Sequence, residues 1–327
     1  MRPLLVHVIY VPGTVNTLLP FAETLINCTN ARFVLVGNGC DADETAVLRR
    51  RAEIDPDRID FVDLESDVML GHGTVLDQLL TRLPNDEPVF AFADTDIFAS
   101  GPVDLEQLRP TAGEFGRCSG LPIWQTIEDR VAPSGFDVLS GRHLVTESGT
   151  TVACTYAAAY DAHRLRAVLA EWHLSLLKYS WHEIPRSAQQ ELQRQSAVFN
   201  RYDTSKVVSI IGQHDGLTVP YVDIEHFVHI GALSGQRPEP PIRFRRLRRL
   251  PALLRSPRLL VEKIRERLPN QERANEQRSI EHLIERRLAA CALVDGLAAG
   301  DPNPPVPAWC SDNVLKHLRD LVPASQN

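Results

Sequence analysis

Residues 89–98 read Val-Phe-Ala-Phe-Ala-Asp-Thr-Asp-Ile-Phe. The apolar first half of this segment is bounded on both sides by turn-forming residues, which predicts a strand buried on both faces of a sheet. Asp94 and Asp96 follow at the carboxyl end of that strand, where open α/β sheets bind their ligands. Because two adjacent anions are expensive to desolvate, the pair predicts a site for a divalent cation. Hard oxygen ligands suit Mg²⁺ or Mn²⁺, and either ion can hold a diphosphate.

Strands and helices are predicted to alternate through the first hundred residues. The predicted strands are 4–11, 32–36, 59–62 and 89–93, and the predicted helices are 16–27, 43–53 and 72–83. The connections between them are short, so the simplest arrangement is a parallel, doubly wound sheet. The expected fold class is therefore α/β, with a mostly parallel central sheet flanked by helices.

The pattern becomes mixed after the Asp-x-Asp motif. Apolar runs predict strands at 151–160 and 221–230, and amphipathic periodicity predicts helices at 162–177, 187–200 and 205–211. Segment 113–150 is rich in Gly, Ser and Thr and has no clear periodicity. Such a long irregular stretch within a compact domain is typical of a binding loop or lid.

Composition changes at a proline-rich linker near residue 238, which predicts a domain at 1–235 and a basic, mainly helical appendage at 236–327. Segment 243–267 holds ten Arg or Lys residues and only two acidic ones. It is either a solvated helical face or a surface for an anionic membrane, where each charge contributes roughly 1 kcal/mol.

The remaining composition restricts the class of protein. The 327-residue chain has a net charge of −7, which does not favour nucleic-acid binding. Its six cysteines include no C-x-x-C pair, so free thiols in a reducing compartment are expected. No apolar run is long enough to span a membrane, and the first residues resemble a strand. We therefore expect a cytoplasmic protein, with peripheral contact to the inner face of the membrane as an option for segment 243–267.

Short motifs agree with the position of the aspartate pair. They are the turn Pro12-Gly13-Thr14, the loop Gly37-Asn38-Gly39, the segment Gly71-His72-Gly73 and the C-terminal Val228-His229-Ile230-Gly231. With Asp94-Thr95-Asp96, they make residues 4–235 resemble the nucleotide-sugar-dependent glycosyltransferases of the GT-A fold. The resemblance implies that the nucleotide sugar is contacted by Pro12, Gly13, Thr14, Asn38, His72, Asp94 and Thr95. It also implies that Asp94, Asp96 and His229 hold Mn²⁺ or Mg²⁺.

This resemblance implies the transfer of a sugar from a nucleoside-diphosphate donor, with a UDP-sugar favoured, to a hydroxyl group. The acceptor would be a glycan, a lipid-linked glycan or a small molecule. An inverting enzyme needs a carboxylate that deprotonates this hydroxyl. Glu128 and Asp129 are the candidates, and the rival carboxylates are Asp137, Asp161 and Asp215. A retaining enzyme needs no such base, so the stereochemistry stays open.

Three other kinds of protein were weighed against this interpretation. A haloacid-dehalogenase-like phosphatase would use Asp94 as nucleophile and Asp96 as general acid, but its motif normally follows the first strand of the domain. A non-catalytic nucleotide-sugar-binding protein would keep the site without turnover. A nucleotidyltransferase would carry basic residues directly after the first strand, whereas residues 12–16 carry no charge.

Overall fold

The structure of the protein is a computed structural model that describes residues 2–66, 68–123, 131–132, 138–139, 143–231, 286, 288–301 and 304. The chain divides into two compact units, Met1–Gly235 and Gln236–Asn327. The described part of the second unit is helical at 288–298, and the basic segment 243–267 lies outside the described residues. The roles of the two units, a catalytic domain and a basic extension, stay predictions. Among the described residues, no helix combines the length and apolar character needed to cross a membrane.

The first unit contains six α-helices and fourteen strands in its described part. In chain order they are β1 Leu5–Tyr10, α1 Val15–Cys28, β2 Arg32–Gly37, α2 Ala42–Ile54, β3 Ile59–Asp63, α3 His72–Arg82, β4 Val89–Ala93, β5 Ile97–Ala99, β6 Gly116–Ser119, β7 Val131–Ala132, β8 Val138–Leu139, β9 Leu144–Thr146, β10 Thr151–Val152, β11 Ala157–Asp161, α4 Ala162–Glu171, β12 Tyr179–Ser180, α5 Arg186–Arg194, β13 Arg201–Tyr202, α6 Lys206–Ile211 and β14 Phe227–His229. Short 3₁₀ helices lie at Leu105–Leu108 and Trp181–Glu183.

A six-stranded sheet with the order β3-β2-β1-β4-β11-β6 forms the centre of this unit. Neighbouring strands run parallel from β3 to β4, and β11 is antiparallel to both of its neighbours. The register of the central pair places Val6 beside Ala91 and Val8 beside Ala93. The predicted α/β fold with a mostly parallel central sheet is therefore confirmed.

Helices cover both faces of the sheet, because the central strands are apolar on both sides. All five residues of β4 are buried. On one face, α3, α4, α5 and α6 share a core with Leu5, Val34, Phe90 and Phe92 of the sheet. α2 packs against β2 and β3, and α1 packs against β5 and α2. The ends of the buried strands are left as the places where polar groups gather.

One strand of the central sheet was missed by the sequence analysis. β6 lies within segment 113–150, which was expected to be irregular, yet it pairs along its length with β11. A Cβ atom at Gly116 would lie 2.7 Å from the carbonyl oxygen of Ala159 and 2.6 Å from the ring of Tyr160. Glycine is needed there for close packing, and it removes the β-propensity signal that would predict a strand.

Several predicted elements are shorter in the structure than the sequence indicated. The strand predicted at 151–160 is split into β10 and β11, because the intervening residues leave the ladder. The helix predicted at 162–177 ends at Glu171, since His173 adopts a left-handed conformation with φ 52°. The helix predicted at 187–200 ends at Arg194, close to Ser196 with φ 51°. The strand predicted at 221–230 is reduced to β14.

Candidate metal centre

The Asp-x-Asp motif lies where β4 leaves the central sheet. The backbone N–H of Asp94 donates to the carbonyl of Tyr156 at 2.7 Å, which continues the antiparallel contact between β4 and the chain before β11. The carbonyl of Asp96 accepts a hydrogen bond from Ile230 at 3.1 Å. Backbone hydrogen bonds therefore fix both aspartates, and Thr95 between them is buried.

The pairing of β5 with β14 brings His229 to this motif. The two strands are antiparallel, and the register places His229 opposite Ile97, the residue that follows Asp96. His229 Nε2 lies 3.1 Å from Asp96 Oδ1 and 3.9 Å from Asp94 Oδ2. One ligand atom from each of the three residues lies within 4.8 Å of the others. The structure thus brings together the three side chains that the sequence analysis predicted as metal ligands. We call Asp94, Asp96 and His229 the metal group.

The ring of His229 is held in one orientation. Its Nδ1 lies 2.5 Å from the carbonyl oxygen of Gly120, which can only accept a hydrogen bond, so Nδ1 carries the proton. The ring of Tyr156 packs against it at a centroid distance of 4.6 Å. In the neutral ring, Nε2 then presents its lone pair to the two carboxylates. A ring nitrogen that donates to a backbone carbonyl while the other faces acidic side chains is the usual arrangement of a metal-binding histidine.

The charges of these three side chains do not balance among themselves. Burial, followed by the negative charge of Asp96, raises the pKa of Asp94 to about 8, although His229 acts in the opposite direction. The Asp94 side chain keeps 34% of its surface exposed, so solvent moderates this effect, whereas the Asp96 side chain is 4% exposed. Burial lowers the pKa of His229, but the neighbouring aspartates outweigh it and the net shift is upward.

The donor set fits a divalent cation. Two carboxylates and one imidazole are ligands that Mn²⁺ accepts readily, and the carboxylates also suit Mg²⁺. A cation would neutralise the like charges that otherwise force protons onto the group. Three protein ligands leave further coordination positions for water or for phosphate oxygens. Among the described residues, this is the one cluster of His, Cys, Asp or Glu side chains found with ligand atoms this close together.

The turn after β1 presents its backbone more than its side chains. Thr14 is buried, and its hydroxyl donates to the carbonyl of Val11 at 2.6 Å, which closes the turn. Pro12 and Gly13 are exposed, and Gly13 has a φ of 78°. Contact between this turn and a nucleotide stays a prediction, and it would involve Pro12 and Gly13 because the Thr14 hydroxyl is engaged.

Asn38 has a structural partner in the loop before α3. Its Nδ2 donates to the carbonyl of Leu70 at 2.9 Å, and its Oδ1 accepts from the N–H of Leu70 at 2.8 Å. The next residue, Gly39, has a φ of 69°, and an added Cβ would lie 2.7 Å from the nitrogen of Met69. Asn38 therefore positions the loop around residue 70, and its predicted direct contact with a nucleotide stays untested.

His72 opens α3 and packs edge-on against Phe92 of β4, with ring centroids 5.9 Å apart. Burial lowers the pKa of His72 to about 4, so the ring is neutral at physiological pH. Gly73 lets α3 pack closely against the backbone of Leu176, since an added Cβ would lie 2.5 Å from the carbonyl oxygen of Leu176. This contact gives the glycine of the predicted donor-binding segment a packing role.

One carboxylate near the metal group was missed by the sequence analysis. The charge of Asp203 acts on both Asp94 and His72. Asp203 Oδ1 lies 3.0 Å from Lys178 Nζ and accepts a hydrogen bond from the N–H of Thr204. The available signal was an acidic residue directly after a short strand, β13.

Some of the predicted catalytic bases lie outside the described residues, and the structure shows where the others lie. Glu128, Asp129 and Asp137 lie outside the described residues. Asp161 is paired with Val89, at the start of β4, so it lies about five residues of strand, or roughly 16 Å, from Asp94. It caps α4 instead, and its candidacy as a base was wrong. Asp215 is 77% exposed and pairs with His214 at 3.1 Å.

Comparisons with solved structures give matches at low sequence identity. No protein-family model matches the chain, and no curated protein sequence matches it. A glycosyltransferase from Streptococcus pneumoniae is similar over 69% of this chain and 46% of its own, at 8% identity and a TM-score of 0.37. The chain thus spans about half the length of that protein.

Two further structures illustrate the range of these similarities. A 4-diphosphocytidyl-2C-methyl-D-erythritol synthase from Anaerococcus prevotii is 10% identical, with 71% of this chain and 92% of that chain covered and a TM-score of 0.37. A mannosyltransferase from Pyrobaculum calidifontis, in complex with GDP-Man and Mn²⁺, is 16% identical, with 98% and 79% covered and a TM-score of 0.36. The chemistry of this chain therefore has to be inferred from its own residues.

Proposed function

We propose that residues 1–235 form a metal-dependent glycosyltransferase that moves a sugar from a nucleoside-diphosphate sugar, with a UDP-sugar favoured, to a hydroxyl acceptor. The observation that carries this proposal is the group formed by Asp94, Asp96 and His229 at the end of a buried strand. The acceptor that we favour is a glycan or a lipid-linked glycan. Mn²⁺ or Mg²⁺ is the cofactor that the ligand set favours.

The three residues of the site have different roles. Asp96 and His229 are nearly fully buried and form the fixed part of the group, whereas Asp94 is partly exposed and can also reach a ribose or a water molecule. When bound, a divalent cation stabilises the negative charge that develops on the departing diphosphate. The Gly120 carbonyl keeps the His229 lone pair directed at the site.

We assign Asp203 to the hydroxyl groups of the sugar or the acceptor. It is a described carboxylate close to Asp94, and Lys178 and the Thr204 N–H hold one of its oxygens. In an inverting reaction such a carboxylate takes the proton of the acceptor hydroxyl. A retaining reaction needs only its hydrogen bonds.

A phosphatase of the haloacid-dehalogenase type is less well supported by this geometry. Asp94 follows the fourth strand of the sheet rather than the first, and Asp96 faces a histidine. The two described lysines have partners other than Asp94: Lys178 pairs with Asp203, and Lys206 donates to the carbonyl of Ala153. A non-catalytic nucleotide-sugar-binding protein stays an alternative that turnover measurements distinguish.

The test is a panel of nucleotides and nucleotide sugars with and without Mn²⁺, read by thermal unfolding and calorimetry. A ligand present at about 100 times its Kd stabilises the folded state by about 2.7 kcal/mol. We expect Mn²⁺-dependent stabilisation by one nucleotide sugar, and its loss in Asp96→Asn. Asp215→Asn, which removes an exposed charge, is the matched control. Stabilisation by phosphate analogues alone, or an unchanged response in Asp96→Asn, would overturn the proposal.

A further inference from the structure

A carboxylate from α2 lies at the N-terminus of α1. Glu44 Oε1 accepts a hydrogen bond of 3.3 Å from the backbone N–H of Val15, the first residue of α1. Glu44 is 5% exposed and Val15 is fully buried, so this contact lies inside the protein. The N-cap residue of α1 is Thr14, and its hydroxyl is engaged with the backbone of Val11 instead of capping the helix. Glu44 therefore takes the place of the usual capping side chain.

The N-terminus of a helix attracts anions, because its first N–H groups point outward and the helix dipole is positive there. In α1, the N–H groups of Thr17 and Leu18 are already engaged, since both donate to the carbonyl of Thr14, at 3.1 and 2.9 Å. The first turn of α1 contains no acidic residue, so the negative charge at this end comes from another helix. The chain thus fills the anion site of α1 with its own carboxylate.

This filled anion site and the metal group lie at the ends of neighbouring strands. β1 is parallel to β4, and the register places Val8 beside Ala93. Asp94 directly follows β4, and α1 begins after the short turn 11–14 that follows β1. Neighbouring strands are about 4.8 Å apart, so a diphosphate bound to a cation at Asp94 would approach the same edge of the sheet. What occupies the N-terminus of α1 therefore affects how phosphate groups bind at this edge.

We infer that Glu44 is a specificity-determining residue that excludes phosphate groups from the N-terminus of α1. A phosphate in that position would have to displace the carboxylate from the N–H of Val15 and would then lie beside a buried charge of the same sign. Glu44 Oε2 is also buried, and it has no hydrogen-bond partner among the described residues. Displacement would therefore remove the one described hydrogen bond of this carboxylate group. Phosphate groups are left with the metal group as their binding site at this edge.

The consequence for the donor rests on the proposed function. In a glycosyltransferase with this arrangement, the diphosphate of the donor binds through the cation and receives no help from the dipole of α1. The exposed Pro12 and Gly13 are then left to contact the uncharged nucleoside part of the donor. Removal of the cation should abolish binding of the diphosphate rather than weaken it, because Glu44 closes the alternative anion site.

The test uses the full-length protein in EDTA, with pyrophosphate as the probe. Glu44→Ala removes the carboxylate and leaves room for an anion, so it should bind pyrophosphate about tenfold more tightly than the unmodified protein, or better. Glu44→Gln removes the charge but keeps an acceptor for the Val15 N–H, so its gain should be smaller. Asp43→Asn removes an exposed acid from the first turn of α2 and is the matched control, which should behave as the unmodified protein. Calorimetry measures the affinity, and the NMR shift of the Val15 amide locates the bound anion.

The outcomes separate this inference from the proposed function. Pyrophosphate binding by Glu44→Ala that is no tighter than by Asp43→Asn overturns the inference, as does metal-free binding to the unmodified protein that shifts the Val15 amide. If circular dichroism shows that Glu44→Ala does not fold, Glu44→Gln decides, and a response equal to that of Asp43→Asn has the same meaning. A protein that binds no nucleotide sugar with Mn²⁺ refutes the proposed function, while the comparison in EDTA still decides the role of Glu44.

Discussion

The carbonyl of Gly120 accepts a 2.5 Å hydrogen bond from Nδ1 of His229, across 109 positions of sequence. Because this bond fixes which ring nitrogen carries the proton, it also fixes which nitrogen faces Asp94 and Asp96. The metal group therefore depends on an edge strand, β6, as much as on the aspartate motif. The following predictions test individual parts of this arrangement.

Replacing His229 with Ala should weaken Mn²⁺ binding by about 10- to 100-fold, because one of three predicted ligands is lost. Calorimetric titration with Mn²⁺ measures the change. His163→Ala is the control, since this histidine is exposed on α4. Equal affinities in the two variants would return His229 to a structural role in the core.

Replacing Asp203 with Asn should lower turnover by about 100-fold or more while Mn²⁺ and nucleotide binding stay within a few-fold. The substitution removes a charge that acts on Asp94 but keeps the shape of the side chain. Lys178→Gln tests the ion pair alone, and it should have a small effect because Lys178 is 69% exposed. Turnover unchanged in Asp203→Asn would contradict the assignment.

Replacing Asn38 with Ala should lower the free energy of unfolding by about 1–3 kcal/mol, because the N–H and C=O of Leu70 both lose their partner. Asn38→Asp keeps an acceptor for the Leu70 N–H but buries a charge against the Leu70 carbonyl, so it should cost at least as much. Urea unfolding measures both variants. A fall in nucleotide affinity with no loss of stability would instead support direct contact with the nucleotide.

Gly73→Ala should destabilise the protein by about 1–3 kcal/mol, since the new methyl group would overlap the carbonyl of Leu176. Gly71→Ala is a close control, because an added Cβ there comes no nearer than 3.8 Å to Thr74. Chemical unfolding of both variants gives the comparison. If Gly73→Ala were no more destabilising than Gly71→Ala, the close approach of α3 to residue 176 would be wrong.

His7 predicts a loss of stability in acid. Burial lowers its pKa to about 4 from an unfolded value near 6.5, although its bond to the Ala91 carbonyl opposes this. Between these values the unfolded chain binds a proton that the folded protein does not, so stability falls as pH decreases from about 6.5 to 4. The maximum contribution is about 3 kcal/mol.

His7→Asn preserves a side-chain donor for Ala91 and does not titrate in this range. Stability measured by urea unfolding should therefore decline less steeply in this variant between pH 6.5 and 4. His163→Asn, at an exposed position, is the control for removing a histidine. Parallel curves for His7→Asn and the unmodified protein would show that His7 is not the source of the slope.

The first four strands of the central sheet could be predicted because each is a short apolar run between turn residues. The same reasoning failed for β6, since Gly116-Arg117-Cys118-Ser119 has no β-branched or aromatic residue. What forms β6 is its pairing with β11, beside which Gly116 leaves no room for a side chain, and this long-range feature is not contained in the local sequence.

The candidate site was predictable to a similar extent. Asp94 and Asp96 follow a recognisable strand, and the resemblance pointed to His229. Asp203 was missed because its effect on Asp94 is a long-range feature that local sequence does not contain. The partner of Asn38 was missed for the same reason, since Leu70 is 32 positions away in sequence.

The pairing of β5 with β14 has a consequence for how the protein acquires its site. Asp96 and His229 are 133 positions apart, so the chain must close a very long loop before the two side chains meet. Contacts between such distant residues form slowly, because the entropy of loop closure is lost before the contact stabilises anything. A nascent chain that ends before residue 229 lacks the third ligand. Acquisition of full Mn²⁺ affinity during refolding would therefore report the completion of the first unit rather than the early formation of its sheet.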